Sequence, residues 1–332
     1  MKYPKKLTKN IAFIAPSFGC TFEPYKSRME NSIKKLNDSY KVNVYENCYK
    51  SELPYRSNTA QSCAGEFMNA YKEDNEVLMS VGGGEYMVEI LDHINFDELK
   101  ELDPKWFIGY SDNTNLTYLL PILCDVATIY GPNAPDFGLE ANHQSISDSL
   151  DLLTNNNDTL NSYEYYESNS KLRENELSNL VLDTKSSYYI NKQTKVEGRL
   201  IGGCLDIIIS LIGTKYDKVN DFLEKYKNDG FIWFLEACDL NPMDVKRAIK
   251  QMENAGYFKY VKGFMIGRPI IKDEMFGINH LNAYLDILNK YNVLILGDAD
   301  LGHVKPSMPI VCGAIGELET KENKYSLKIK LR

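Results

Sequence analysis

The fold is decided by DPKWFIGYSDNTNLTYLLPIL, residues 103–123. Its apolar run, 105–110, has the residues of a buried strand, and a helix-like run, 113–123, follows almost at once. Gly109 removes side-chain bulk where the strand turns. A tight strand-to-helix turn pushes the Ser111 hydroxyl out at the carboxyl end of a sheet, where open α/β sheets place their sites. The first amides of the helix are free donors at the positive end of a dipole, suited to an oxyanion. The usual elbow has glycine two residues after the serine, and Asn113 stands there instead. The alternative is structural: Ser111 caps the helix, with Asp112 in its first turn.

Outward from this corner the same alternation recurs. Toward the N-terminus, apolar runs at 11–15, 41–46 and 76–81 alternate with helical patterns at 27–38, 59–73 and 84–94. Such spacing predicts a mostly parallel sheet covered on both faces. Residues from about 140 to 195 are polar and poor in aliphatics, and read as a linker or an excursion. Beyond them, Gly202-Gly203 precedes an apolar helix, and GFIWFLEAC (230–238) is an apolar strand closed by Glu236. A helix over 241–256 carries Asn241 at its N-cap, Pro242 at N1 and Gly256 past its end. Further strands are predicted at 263–269 and 293–298. The expected division is an α/β unit over 1–165, a linker or excursion over 166–195 and a second α/β unit over 196–332.

The chain has 332 residues and a net charge of −8, so a nucleic-acid partner is not expected. Seven scattered cysteines show no zinc-site spacing, and predict reduced core thiols in a cytoplasmic protein without a metal. No window approaches the ~20 apolar residues of a membrane span.

A serine hydroxyl needs a base, and the base an orienting partner. Of four histidines, His93, His143 and His280 read as surface or capping residues. His303 lies in LILGDADLGHVKP, a glycine-rich loop after an apolar strand, again at the carboxyl end of a sheet. Glu236 is one candidate for its partner, and Asp298 and Asp300 are nearer in sequence; spacing leaves the three open. VGGGEYM (81–87) lacks the phosphate-loop and dinucleotide patterns. It reads either as a tight turn or as half of an oxyanion hole, with Gly83 or Gly84 donating beside the Asp112 amide. No cysteine is expected to end a strand as Ser111 does, which counts against a glutamine amidotransferase-like enzyme. A non-catalytic binding protein of two α/β units is the other alternative.

Taken together, IAFIAPS, GGGEYMVEILDHINFDEL, PKWFIGYSDNT, GRLIGGCLDIIISLIGT, FIWFLEACDLNPMDVKRAIKQMENAGYF and DADLGHVKPSMPIVCGA run in an order that resembles the LD-carboxypeptidase family of serine peptidases. That family includes murein tetrapeptide carboxypeptidases and the immunity peptidases that destroy microcin C. The resemblance implies a Ser111–Glu236–His303 triad without metal or cofactor. It also implies a flavodoxin-like N-terminal domain bearing the serine, a smaller C-terminal domain bearing the other two residues, and a site between them. It implies a homodimer acting on a small peptide or peptidyl-nucleotide, closer to the microcin-immunity branch. Arg199 and Lys305 are candidates to hold a substrate carboxylate, and Glu85-Tyr86 replaces the more open glycine–asparagine loop of other members.

Overall fold

The apolar runs build two sheets in a computed structural model that describes residues 1–331. In chain order the first strands are β1 (Asn10–Ile14), β2 (Lys41–Val44), β3 (Val77–Ser80), β4 (Trp106–Gly109), β5 (Thr128–Tyr130) and β6 (Thr159–Asn161). Next come β7 (Tyr165–Tyr166), β8 (Thr184–Lys185), β9 (Tyr189–Ile190), β10 (Lys195–Cys204) and β11 (Phe231–Glu236). The last are β12 (Val261–Gly267), β13 (Leu294–Ala299), β14 (Ile310–Cys312), β15 (Ile315–Lys321) and β16 (Lys324–Lys330).

The first sheet has the order β2-β1-β3-β4-β5-β14. Its first five strands are parallel, in the flavodoxin-like order 2-1-3-4-5. Alternate residues of β1 enter opposite cores, as the two-residue period requires. Ile11 and Phe13 join Met29 and Leu36 of the helix Tyr25–Leu36. Ala12 and Ile14 join Ala64 and Phe67 of the helix Ala60–Lys72. With both faces covered, β1, β3, β4 and β5 are buried throughout and read as unbroken apolar runs. The order reverses between β1 and β3, so a crevice opens beyond their carboxyl ends, next to that of β4.

The second sheet runs β6-β16-β15-β10-β11-β12-β13-β9, with β10 to β13 parallel. It has more strands than the first because the polar stretch 140–195 supplies both of its edges, β6 and β9. Within that stretch β7 and β8 also pair as a small ribbon, and in exchange β14 returns to the first sheet.

Two predicted helices differ in detail. Residues Met87–His93 form a 3-10 helix. The run 113–123 breaks into a 3-10 turn (Ser111–Asn113), a short α-helix (Thr114–Thr117) and a π-turn (Leu120–Cys124), because Pro121 has no amide to continue an α-helical ladder. The helix Pro242–Asn254 forms as predicted, and the Asn241 side chain accepts from the Met243 and Asp244 amides. Strand β10 was hidden by its glycines. Gly202 sits at φ 150°, where a Cβ would lie 1.7 Å from the Phe234 carbonyl oxygen, so only glycine lets β10 and β11 close there.

Candidate active site

Ser111 leaves β4 with φ 66°, a left-handed conformation uncommon outside glycine. The cap positions of the turn and of the helix behind it are Tyr110 and Asn113, so the capping alternative for Ser111 does not hold. The unusual backbone is held from several sides. The Ser111 amide donates to the Tyr130 hydroxyl at 3.2 Å. The Ser111 carbonyl accepts from Thr114 Oγ1 at 2.7 Å, and that hydroxyl accepts from the Cys204 amide at 3.0 Å. The second sheet thereby grips the Ser111 corner of the first.

The glycine loop lies against this corner. A Cβ on Gly83 would stand 2.9 Å from Ser111 Cβ and 3.0 Å from its Oγ. One on Gly84 would collide with Ser17 Oγ and reach Asp112 Oδ2 at 3.3 Å. Buried Asp112 locks loop and corner together: its Oδ2 accepts from Ser17 Oγ at 2.6 Å and the Met87 amide at 2.9 Å. Burial pushes the Asp112 carboxyl up to about 6, against these two bonds. Gly83→Ala is expected to lower hydrolysis by on the order of a hundredfold by displacing the serine, with little change in melting temperature; kinetics beside a thermal melt check it.

Glu236 closes β11 with no solvent exposure. Its Oε2 accepts from His303 Nδ1 at 2.9 Å, and its Oε1 accepts a short bond from the Tyr130 hydroxyl. Burial opposes both charges, but the pair outweighs it: Glu236 is held below the ordinary carboxylate range and His303 above the ordinary imidazole range. With Nδ1 on the carboxylate, His303 Nε2 is buried and has no partner among the described residues. His303, Ser111, Gly83 and Gly84 line one cleft of about 320 Å³.

The competing carboxylates face elsewhere. Asp300 pairs with Arg268 at 2.6 Å and accepts from Tyr188, Tyr325 and the Tyr163 amide. Asp298 lines a separate small pocket with His280. His93 ends a 3-10 helix and His143 caps Gln144–Thr154, as expected. His280, expected at the surface or in a cap, is instead buried and bonded to the Leu240 carbonyl at 2.7 Å. Arg199 is buried against Asp229 and the Tyr226 ring, away from the cleft. Lys305 is tied to Asp136 at 2.9 Å, over the Tyr110 ring that in turn meets the His303 ring.

All seven cysteines are free thiols and only Cys238 is not buried. One does close a strand before a helix, contrary to expectation: Cys204. Burial drives its thiol well above its usual range, so it is no counterpart of Ser111. The described residues contain no cluster that could hold a metal ion, and no helix long and apolar enough to cross a membrane. Sequence reasoning missed Tyr130 and Thr114, which look like core residues and act through single hydroxyls.

Residues 11–131 match the LD-carboxypeptidase N-terminal domain, and residues 197–318 match the LD-carboxypeptidase C-terminal domain. The chain belongs to the LD-carboxypeptidase family. It is therefore placed among peptidases, with Ser111 in the first matched domain and Glu236 and His303 in the second. Curated members similar to it include the microcin C7 self-immunity protein MccF of Escherichia coli, 26% identical over 78% of this chain and 76% of that one. Another is a probable murein peptide carboxypeptidase of Bacillus subtilis, 22% identical over 96% and 92%. The fold is shared with solved MccF and MccF-like structures. An MccF-like protein from Bacillus anthracis superposes with a TM-score of 0.83 at 22% identity, covering 99% of both chains. MccF in complex with aspartyl sulfamoyl adenosine superposes at 0.82 and 20% identity, covering 99% and 98%.

Proposed function

We propose that this peptidase is a serine carboxypeptidase working through an acyl-enzyme. Ser111 attacks a carbonyl carbon, and His303 Nε2 takes the hydroxyl proton as the Ser111 oxygen closes on it in the occupied cleft. Glu236 holds the imidazole with Nδ1 protonated and offsets the charge that forms on it. The Asp112 amide, with Gly83 or Gly84, receives the oxyanion; one such donor is worth about 10²–10³ in rate. His303 then protonates the leaving amine, and water releases the acyl group.

The observation that carries this reading is the single cleft. It holds a serine at φ 66° and an imidazole whose one nitrogen is fixed on a buried carboxylate while the other is unpartnered. We assign the nucleophile to a unit over 1–165 and its two partners to one over 196–332, with β6 and β14 each crossing to the other unit's sheet and 166–195 adding β9 to the second.

For the substrate, a peptidyl-nucleotide is favoured over a murein tetrapeptide. Phe22 and Tyr25 stand half exposed at the cleft, edge to face at 5.4 Å, and offer aromatic surface to a base. MccF, one of the relatives, is solved with an aspartyl sulfamoyl adenosine bound. Hydrolysis of a peptidyl-adenylate mimic and of a murein tetrapeptide, measured side by side, decides between them; faster turnover of the tetrapeptide would reverse the assignment. A fluorophosphonate probe is expected to label Ser111 and nothing in a Ser111→Ala control. Absence of labelling and of both hydrolyses would leave a binding protein. Free buried thiols support a reducing, cytoplasmic setting, and a homodimer is expected from light scattering.

A further inference from the structure

The Tyr130 hydroxyl touches both halves of the proposed machinery. Tyr130 ends β5, beside β4 in the sheet, and is fully buried, as is Glu236. Its oxygen accepts from the Ser111 amide at 3.2 Å, and its proton goes to Glu236 Oε1. Glu236 Oε2 takes the His303 Nδ1 proton at 2.9 Å. One hydroxyl thus stands between the nucleophile's backbone, on the first sheet, and the carboxylate, on the second. Two needs meet in it. The left-handed backbone of Ser111 turns its amide inward, where an unmatched donor would be costly. A carboxylate without solvent keeps its charge only if both oxygens are bonded.

Resting on the acyl-transfer reading, we infer that Tyr130 is a positioning residue: its hydroxyl fixes the Ser111 corner and sets the basicity of the Glu236–His303 pair. The charged and titratable groups facing that pair from the elements around it are Tyr110, Tyr130, Cys204, Asp206, Cys238, Tyr284 and Lys305. Among them Tyr130 is the one that donates from the first sheet to Glu236. Withdrawing a donor from a carboxylate concentrates its charge on the remaining partner. A more concentrated charge on Glu236 stabilises the imidazolium form of His303, so its Nε2 proton is held more tightly and a higher pH is needed to free the base.

Tyr130→Phe is therefore expected to lower kcat/KM by about tenfold to a hundredfold, the worth of a hydrogen bond to a charged group. The loss falls on kcat rather than KM. The acid limb of the pH profile moves upward by roughly half a unit to one unit. Placing 3-fluorotyrosine at position 130 makes the phenol a stronger donor without altering the packing, and moves the limb downward. Shifts in opposite directions support the inference, since a packing role would give neither. An unmoved limb in both proteins overturns it, and should Tyr130→Phe fail to fold, the fluorotyrosine protein decides alone. The His303 ring titration, followed by NMR among only four histidines, provides a readout independent of turnover. If the wild type hydrolyses nothing, the acyl-transfer reading falls, while a shifted His303 titration still upholds the coupling through Tyr130.

Discussion

Ser111→Ala is expected to abolish measurable turnover, lowering it by about four to six orders of magnitude, while the protein stays folded. The fold is spared because Ser111 is not a cap residue and the contacts that hold the corner are made by the backbone. The amide of residue 111 still reaches Tyr130, and its carbonyl still receives Thr114 Oγ1. Alanine keeps a Cβ at φ 66°, so the strain of the corner is retained as well. Ser111→Gly separates the two effects. It is equally inactive, yet about 1 kcal/mol more stable than Ser111→Ala, because glycine accepts the left-handed region without a Cβ clash. Calorimetry on the two variants, beside an assay with the better of the two substrates, checks this. Hydrolysis that survives Ser111→Ala at wild-type speed sinks the nucleophile assignment.

What was legible in the sequence was what repeats or what ends a run. Buried parallel strands announce themselves because both faces are covered, and Ser111, Glu236 and His303 stand where such runs stop. Their meeting in one crevice does not follow from the strands, because Ser111 ends a strand of the first sheet and Glu236 one of the second; it was implied by the family resemblance. The logic of runs fails where a residue acts through one atom inside a run. Tyr130 closes an apolar strand as any core aromatic does, and among 23 tyrosines it has nothing to mark it. Thr114 sits in a helical pattern, and its hydroxyl matters only because Cys204 arrives from 90 residues away. The second sheet hid its edges for another reason. Strands β6 and β9 pair over three and two residues, too few to show a period. Choosing Glu236 over Asp298 and Asp300 by spacing alone was out of reach as well, because the partner of Asp300 is Arg268 on a different strand end.

Glu236→Gln is expected to lower kcat by on the order of 10³–10⁴ and to move the acid limb of the pH profile downward. Glutamine fills the same volume between Tyr130 and His303, so the loss is one of charge and tautomer. Its single carbonyl oxygen can serve one neighbour only, and with the amide nitrogen toward His303 the ring must carry its proton on Nε2, the wrong atom for a base. The sign of the pH shift follows from the causes acting on His303. Burial lowers its pKa, and the Glu236 charge and hydrogen bond more than offset that. With the carboxylate gone, burial and the Lys305 charge both lower it against the smaller pull of Asp206, and His303 falls below its ordinary 6.5. Stability follows the same linkage. The raised His303 contributes fully below its unfolded value of 6.5, and that contribution is lost as pH climbs through the folded value. The depressed Glu236 contributes above its unfolded value of 4.5, and that is lost as pH drops through its folded value. The melting temperatures of wild type and Glu236→Gln should therefore differ most between pH 4.5 and pH 6.5. Tyr130→Phe strengthens the hold of the same carboxylate on His303, whereas Glu236→Gln removes it, so their acid limbs move in opposite directions from wild type. Coincident shifts in the two proteins would show that the imidazole does not take its basicity from Glu236.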